Sequence, residues 1–238
     1  MFVEYKYLSD YFKDKTVAVV GSAPSVINNS KGFIDKHDIV VRVNNYKIID
    51  GTGKRTDVHY SFYGGSIRKS VTELKTDGTK LCMCKCPNSK PIESEWHEKN
   101  GKTLGIDFRK IYRRRESWWF CPVYIPSDGT FLELFNKLDR HIPTTGFSAI
   151  WEILRLPIKS MYITGFDFFT SKKHNVNERW LKGDSSDPIK HTPEAELNLL
   201  LKWRGCDNRI MLDTYLQRFK WLRNILRKMT VKTPEVLQ

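Results

Sequence analysis

Thr16-Val17-Ala18-Val19-Val20-Gly21-Ser22-Ala23-Pro24-Ser25 is the stretch whose reading decides the fold. An unbroken apolar, β-branched run that halts at a glycine is the pattern of a strand buried on both faces and closed by a tight turn. His37–Asn44 (HDIVVRVN) repeats it, and Asp57–Phe62 (DVHYSF) follows the turn-rich segment DGTGKRT. Lys80–Lys85, Ser160–Phe169 (SMYITGFDFF) and Asn208–Asp213 (NRIMLD) read as further strands. Helical patterns fall between them. Asp128 is placed to cap a helix through Phe131, Leu132, Leu134, Phe135 and Leu138, while Gly146–Leu156 and Pro193–Arg204 carry apolar residues at three- and four-residue steps. Strands alternating with helices predict an α/β fold: a Rossmann-like, open, mostly parallel sheet flanked by helices.

The chain has 238 residues, 40% of them hydrophobic and 13% aromatic, which is too much apolar matter for a disordered chain and enough for a real core. We read residues 1–213 as one domain and 214–238 as a basic amphipathic helix and tail. In the latter, Tyr215, Phe219, Leu222, Leu226 and Met229 share a helix face flanked by basic residues. The polar segment 170–190 predicts a mobile lid or an excursion from the domain. No apolar stretch is long enough to span a membrane, and the acid- and lysine-studded N-terminus is unlike a signal peptide, so a cytoplasmic body is expected. Cys82, Cys84 and Cys86 alternate along one strand, a spacing that zinc does not favour, and are expected to be small buried residues. Cys121 and Cys206 carry no motif.

Ligands of open parallel sheets bind at the carboxyl ends of the strands. There Gly21, Ser22, Ala23, Pro24 and Ser25 offer a close backbone approach, two hydroxyls, and a proline that presets a helix whose free amides face an anion. The loop matches neither GxGxxG nor GxxxxGK[ST], although Gly51-Thr52-Gly53-Lys54 faintly resembles the latter. Asn44 and Asn45 end the second strand and suit a ribose, base or phosphate. Thr144, Thr145 and Gly146 open a helix with hydroxyls and amides, while Gly165 and Phe166 end a later strand. His191 stands just before the helix begun by Pro193, with Glu196 near its first turn; a neutral imidazole there can take a proton from a hydroxyl, and a carboxylate can orient it. Taken singly, each of these is equally a structural turn, a polar loop start, an N-cap or a surface histidine.

Taken in order, the pieces resemble the sialyltransferases of glycosyltransferase family 29. VAVVGSAPSV with DKHDIVVRVN (Asp35–Asn44) and GTGKRTDVHY looks like the family's large motif. PTTGFSAIWEILRLPIKSMYITGF (Pro143–Phe166) is similar to the small motif, and His191 with Glu196 matches the very small one. GSAPSV is also close to the glycine loop of other bacterial sialyltransferases. The likeness covers about Thr16–Tyr60 and Pro143–Asp213. It implies a single-domain, GT-A-like variant of the Rossmann sheet, a CMP-sugar donor, inversion at the anomeric carbon, and no metal or other cofactor. By the same likeness, Gly21, Ser22 and Asn44 would touch the CMP phosphate and ribose, Thr144, Thr145 and Gly146 would line the nucleotide, and His191 would be catalytic. Ala23, Ser25, Asn45, Gly165 and Phe166 complete the expected donor site, with Glu196 beside His191. Departures exist. The disulfide that joins the two motifs in animal members would fall at Val17 and near Ile158, which suits a reducing compartment and a bacterial or viral-type enzyme. The tyrosine-rich third motif has only His174 or Trp180 as counterparts.

Forty Lys and Arg against 27 Asp and Glu leave a net charge of +13, which suits anionic partners. The expected partners are the CMP-sugar donor, a glycan acceptor, lipid-linked in one reading, and an anionic membrane surface met by residues 214–232. That last contact would make the protein peripheral on the inner face of the membrane. Two rivals stay open. One is a CMP-Kdo transferase of lipopolysaccharide or capsule assembly, whose donor also carries a carboxylate beside its anomeric carbon. The other is a non-enzymatic nucleic-acid-binding protein using Arg109–Arg115 with Trp118 and Trp119; under the transferase reading no nucleic acid is expected.

Overall fold

The computed structural model describes residues 1–63, 69–85, 120–168 and 191–218. The proposed lid, His174, Trp180, the Arg109–Trp119 run, Cys86 and most of the C-terminal stripe lie outside the described residues. Among the described residues, eight strands form one sheet: β1 (Phe2–Val3), β2 (Thr16–Val20), β3 (Ile39–Val43), β4 (Val58–Ser61), β5 (Leu81–Cys84), β6 (Val123–Tyr124), β7 (Ser160–Thr164) and β8 (Ile210–Leu212). Their order is β1-β6-β5-β4-β3-β2-β7-β8, and every pairing is parallel. The order reverses at β2, between β3 and β7. In a doubly wound sheet this reversal opens a crevice beyond the strands' carboxyl ends.

β2 shows why its run has no polar alternation. Val17 and Val19 enter the main core, whereas Ala18 and Val20 enter a smaller cluster with Val26, Ile34 and Val40 on the other face. On the main-core face lie helices α1 (Tyr5–Phe12), α3 (Asp128–Lys137), α4 (Thr145–Leu154) and α5 (Pro193–Cys206), α2 being Val71–Thr76. α4 is buried from Phe147 through Leu154, as its nearly all-apolar sequence requires. Phe147 and Trp151 stack on Trp203 with centroids 5.2 and 5.1 Å apart, so aromatic packing fixes α5 against α4.

Several local expectations change. Ser127, not Asp128, caps α3, because its hydroxyl accepts from Thr130 N–H and Asp128 falls in the first turn. Pro24 begins a five-residue 3₁₀ segment, Pro24–Asn28, rather than an α-helix; the bond from Val26 N–H to the Ala23 carbonyl closes the tighter turn, and no extended dipole develops there. The strand through MYITGF ends at Thr164, because Gly165 turns away at φ +73°. β1, α1, α2 and β6 were not anticipated; the strands among them are only two residues long. The Gly51–Lys54 stretch is a structural loop over the buried Arg42 guanidinium, which donates to the Thr52 carbonyl. Cys82 and Cys84 are buried, and the Cys82 sulfur lies 3.5 Å from that of Cys121. Residues 214–218 are helical and Leu216 is buried in the main core.

A buried carboxyl crosses the α4–sheet interface. Glu152 accepts from the Tyr60 hydroxyl (2.7 Å) while its second oxygen has no partner among the described residues, and burial pushes its pKa up to about 8. A carboxyl raised above its unfolded value gives its full stability below the unfolded pKa near 4.5 and loses it as pH rises through the folded value. Glu152→Gln, a mimic of the protonated form, should therefore melt higher than the parent at pH 9, and the gap should close towards pH 5. An equal gap at both pH values in a thermal melt would contradict a neutral Glu152.

Candidate active site

The carboxyl ends of β2 and β7 meet through glycine backbones. Gly21 N–H donates to the Thr164 carbonyl and Ala23 N–H to the Gly165 carbonyl, each at 2.9 Å. A methyl group on Gly21 would overlap the Gly165 carbonyl, and one on Gly146 would come within 2.5 Å of the Phe166 ring. The close approach demands glycine, and it packs Gly21, Gly165, Phe166 and Gly146 together from three separate stretches of sequence. Asp213 supports this corner from the end of β8: its carboxylate accepts from the Thr164 hydroxyl and Gly165 N–H, and from Leu216 N–H at the start of the next helix.

Asn44 lies two residues beyond Arg42, whose pairing with Val20 puts Ser22 at the same level on the neighbouring strand. Its backbone takes φ +53°, which asparagine tolerates. The conformation is held by His59, whose Nε2–H donates to the Asn44 carbonyl while Nδ1 accepts from the Tyr63 hydroxyl. Complete burial lowers the His59 imidazole to about 4, so it stays neutral. Ser61 donates to Asn44 Oδ1, which fixes the side-chain amide and leaves its N–H groups as donors. Asn45 opens instead on a cavity of about 650 Å³ with Tyr46, Lys69 and Glu73. Ser25 lines a smaller pocket of about 170 Å³ with Asn29, Phe33 and Tyr162, on the face opposite α4 and α5, and its buried hydroxyl has no partner among the described residues. Ser22 is exposed at the loop tip.

The third group gathers at the N-terminus of α4. Thr144 caps the helix by accepting from Phe147 N–H, and is itself clasped by Glu196 of α5: Thr144 N–H donates to Oε1 (2.5 Å) and its hydroxyl to Oε2 (2.8 Å). The amides of Thr145 and Gly146, the first two helical positions, have no acceptor among the described residues and stand at the positive end of the helix. Glu196 is only 1% exposed, and burial raises it to about 7 against the opposing pull of its Thr144 bonds and of Lys85. His191 donates Nδ1–H to the Ile142 carbonyl (2.8 Å), which leaves Nε2 as the basic nitrogen. Burial, reinforced by the Lys85 charge, lowers its pKa to about 4, so the ring is neutral at pH 7.

This geometry corrects one expectation. Glu196 does not orient His191; both its oxygens are engaged by Thr144, and the backbone carbonyl of Ile142 orients the ring. Lys85, at the end of β5 and donating to the Pro143 carbonyl, belongs to the corner and was missed. Its signal was legible: a lysine directly following an apolar strand, at the edge where ligands bind. Glu152, Tyr60 and Asp213 were missed as well, since no local motif marks them. Among the described residues no cluster of three or more His, Cys, Asp or Glu is placed to hold a metal, and no helix is long and apolar enough to cross a membrane.

No protein-family model and no curated protein matches the sequence. Solved structures do. The sialyltransferase CstII from Campylobacter jejuni in complex with the substrate analogue CMP-3FNeuAc aligns at TM-score 0.52 and 17% identity, over 83% of this chain and 79% of that one. Its complex with cytidine-5'-monophosphate aligns at 0.53 and 16%, over 84% and 79%. Its complex with a trisaccharide acceptor and CMP gives 0.51 and 16%, over 83% and 80%. The architecture is thus the one solved for CstII: an open parallel sheet of Rossmann type with helices around it.

If Glu196 holds α4, Glu196→Ala should strand the Thr144 amide in a dry environment and lower stability by about 1–3 kcal/mol. Urea unfolding checks this, and an unchanged midpoint would detach Glu196 from the helix.

Proposed function

We propose that the protein is a CMP-sugar-dependent glycosyltransferase that moves a sialic-acid-type keto-acid sugar to a glycan hydroxyl with inversion. The observation that carries the reading is the convergence at one sheet edge of the glycine-packed β2–β7 turn, the uncapped amides of α4 and a neutral imidazole, in the architecture of an enzyme solved with CMP.

Each part has a task. The Thr145 and Gly146 amides and the Thr145 hydroxyl meet the single phosphate of CMP, whose charge grows as the glycosidic bond breaks. The helix end favours that anion without a divalent ion, so the reaction is metal-independent. Gly21 and Ser22 allow the nucleotide to lie close to the backbone, and the Asn44 amide, fixed by Ser61 and His59, hydrogen-bonds its ribose. Phe166 packs beneath. His191 Nε2 takes the proton of the acceptor hydroxyl as it attacks the face of the anomeric carbon opposite the departing CMP, and attack from that side inverts the centre. A neutral ring is ready to accept this proton over the whole range above its pKa near 4.

CMP at about a hundred times its Kd should raise the melting temperature by roughly 5 °C or more, with little effect from AMP or an oligonucleotide. A salt-sensitive oligonucleotide affinity with no CMP shift would instead support the nucleic-acid reading. His191→Ala should keep the CMP shift and lose transfer by about 10²- to 10⁴-fold. Unchanged turnover would remove His191 from the mechanism, and loss of activity in EDTA restored by Mg²⁺ would overturn metal independence. Parallel assays with CMP-Neu5Ac and CMP-Kdo identify the donor, and transfer from CMP-Kdo alone would change the sugar assigned here.

A further inference from the structure

Lys85 is 6% exposed, an unusual place for an ammonium, and its Nζ donates to the Pro143 carbonyl. The next carbonyl back along the chain, Ile142, takes the Nδ1–H of His191. The ammonium and the imidazole therefore hang from consecutive carbonyls of the short segment leading into α4. Among the described residues, Lys85 just beyond β5, Glu196 from α5 and Glu152 from α4 share this corner with His191. The Lys85 charge acts on each of the other two and on His191.

We propose that Lys85 is a positioning residue for His191, pinning the carbonyl pair at 142–143 that orients the ring and fixing a positive charge beside it. The inference rests on the reading of His191 as the base. Its physical content is simple. With Nδ1–H committed to Ile142, a second proton can only go to Nε2, and it would place two cations side by side in a poorly solvated corner. Lys85 thus keeps Nε2 vacant, aimed and ready. The same ammonium favours the ionised form of Glu196, the form that can accept both Thr144 hydrogens. One side chain then holds both the base and the helix end in their working states.

The test compares the parent protein with Lys85→Met, Lys85→Gln and Lys85→Arg. The His191 titration is followed by NMR on the free protein, its signal assigned by loss in His191→Gln. Removing the charge should raise the His191 midpoint by about half a pH unit or more, whereas arginine should restore it. In transfer assays the acid limb of kcat/KM should move up with the midpoint in the neutral variants, at a donor KM within about threefold of the parent. Either neutral variant suffices if the other does not fold. An unmoved titration, or a tenfold rise in donor KM with an unmoved acid limb, would overturn the inference; the second result would make Lys85 a donor-binding cation. The NMR readout needs no turnover. A parent protein inactive on every CMP-sugar yet showing the titration shift would sink the transferase reading while upholding the link between Lys85 and His191.

Discussion

Glu196 surrenders water at both carboxylate oxygens to take two hydrogens from Thr144, and the rest of the site depends on that exchange. Burying a carboxylate is costly unless its lone pairs are met by good donors. Here a backbone amide and a hydroxyl meet them, and the balance leaves the acid near pH 7 rather than fully neutral. The bond joins the first turn of α5 to the cap of α4, and the Phe147–Trp203–Trp151 stack joins the two helices again further along. A helix held at both ends cannot rotate. The amides of Thr145 and Gly146, which have no acceptor among the described residues, are thereby held beside the corner where Phe166 packs on Gly146 and Gly21.

Around that clasp the protein arranges charge with little help from solvent. The corner contains an ammonium, two raised carboxyls and a histidine held neutral by burial, and a second neutral histidine lies beside Asn44. One histidine, His59, is wholly structural: with both nitrogens engaged it fixes the left-handed backbone of Asn44. The other, His191, has one nitrogen engaged and one without a partner among the described residues. The same residue type serves scaffold or chemistry according to how many of its nitrogens the fold uses.

The sheet was legible because its central strands are fully buried. Val17–Val20 and Ile39–Val43 leave no other reading for an apolar run that stops at a polar turn. The two-residue strands β1 and β6 were not legible, since Phe2–Val3 and Val123–Tyr124 are too short to show a period and exist only by pairing with each other and with β5. Gly21, Gly146 and Gly165 were identified from position, but their common contact through Phe166 is a fact of packing alone. The roles of Glu196 and Lys85 escaped for a related reason. Sequence proximity suggested that Glu196 serves His191, which stands just before its helix, whereas its carboxylate reaches across to α4, and Lys85 acts on groups some 60 to 110 residues distant in sequence.

The account stands on the N-terminus of α4 as a seat for one nucleotide phosphate, with His191 held on the Ile142 carbonyl of the segment leading into that helix. A crystal structure with CMP bound tests it most directly. The account predicts the phosphate within hydrogen-bond distance of the Thr145 and Gly146 amides, the ribose beside Asn44 and Ser22, and His191 Nε2 facing the side from which the leaving group would be displaced. CMP seated elsewhere, for instance in the cavity beside Tyr46 and Lys69, or a phosphate held without those amides, would contradict it.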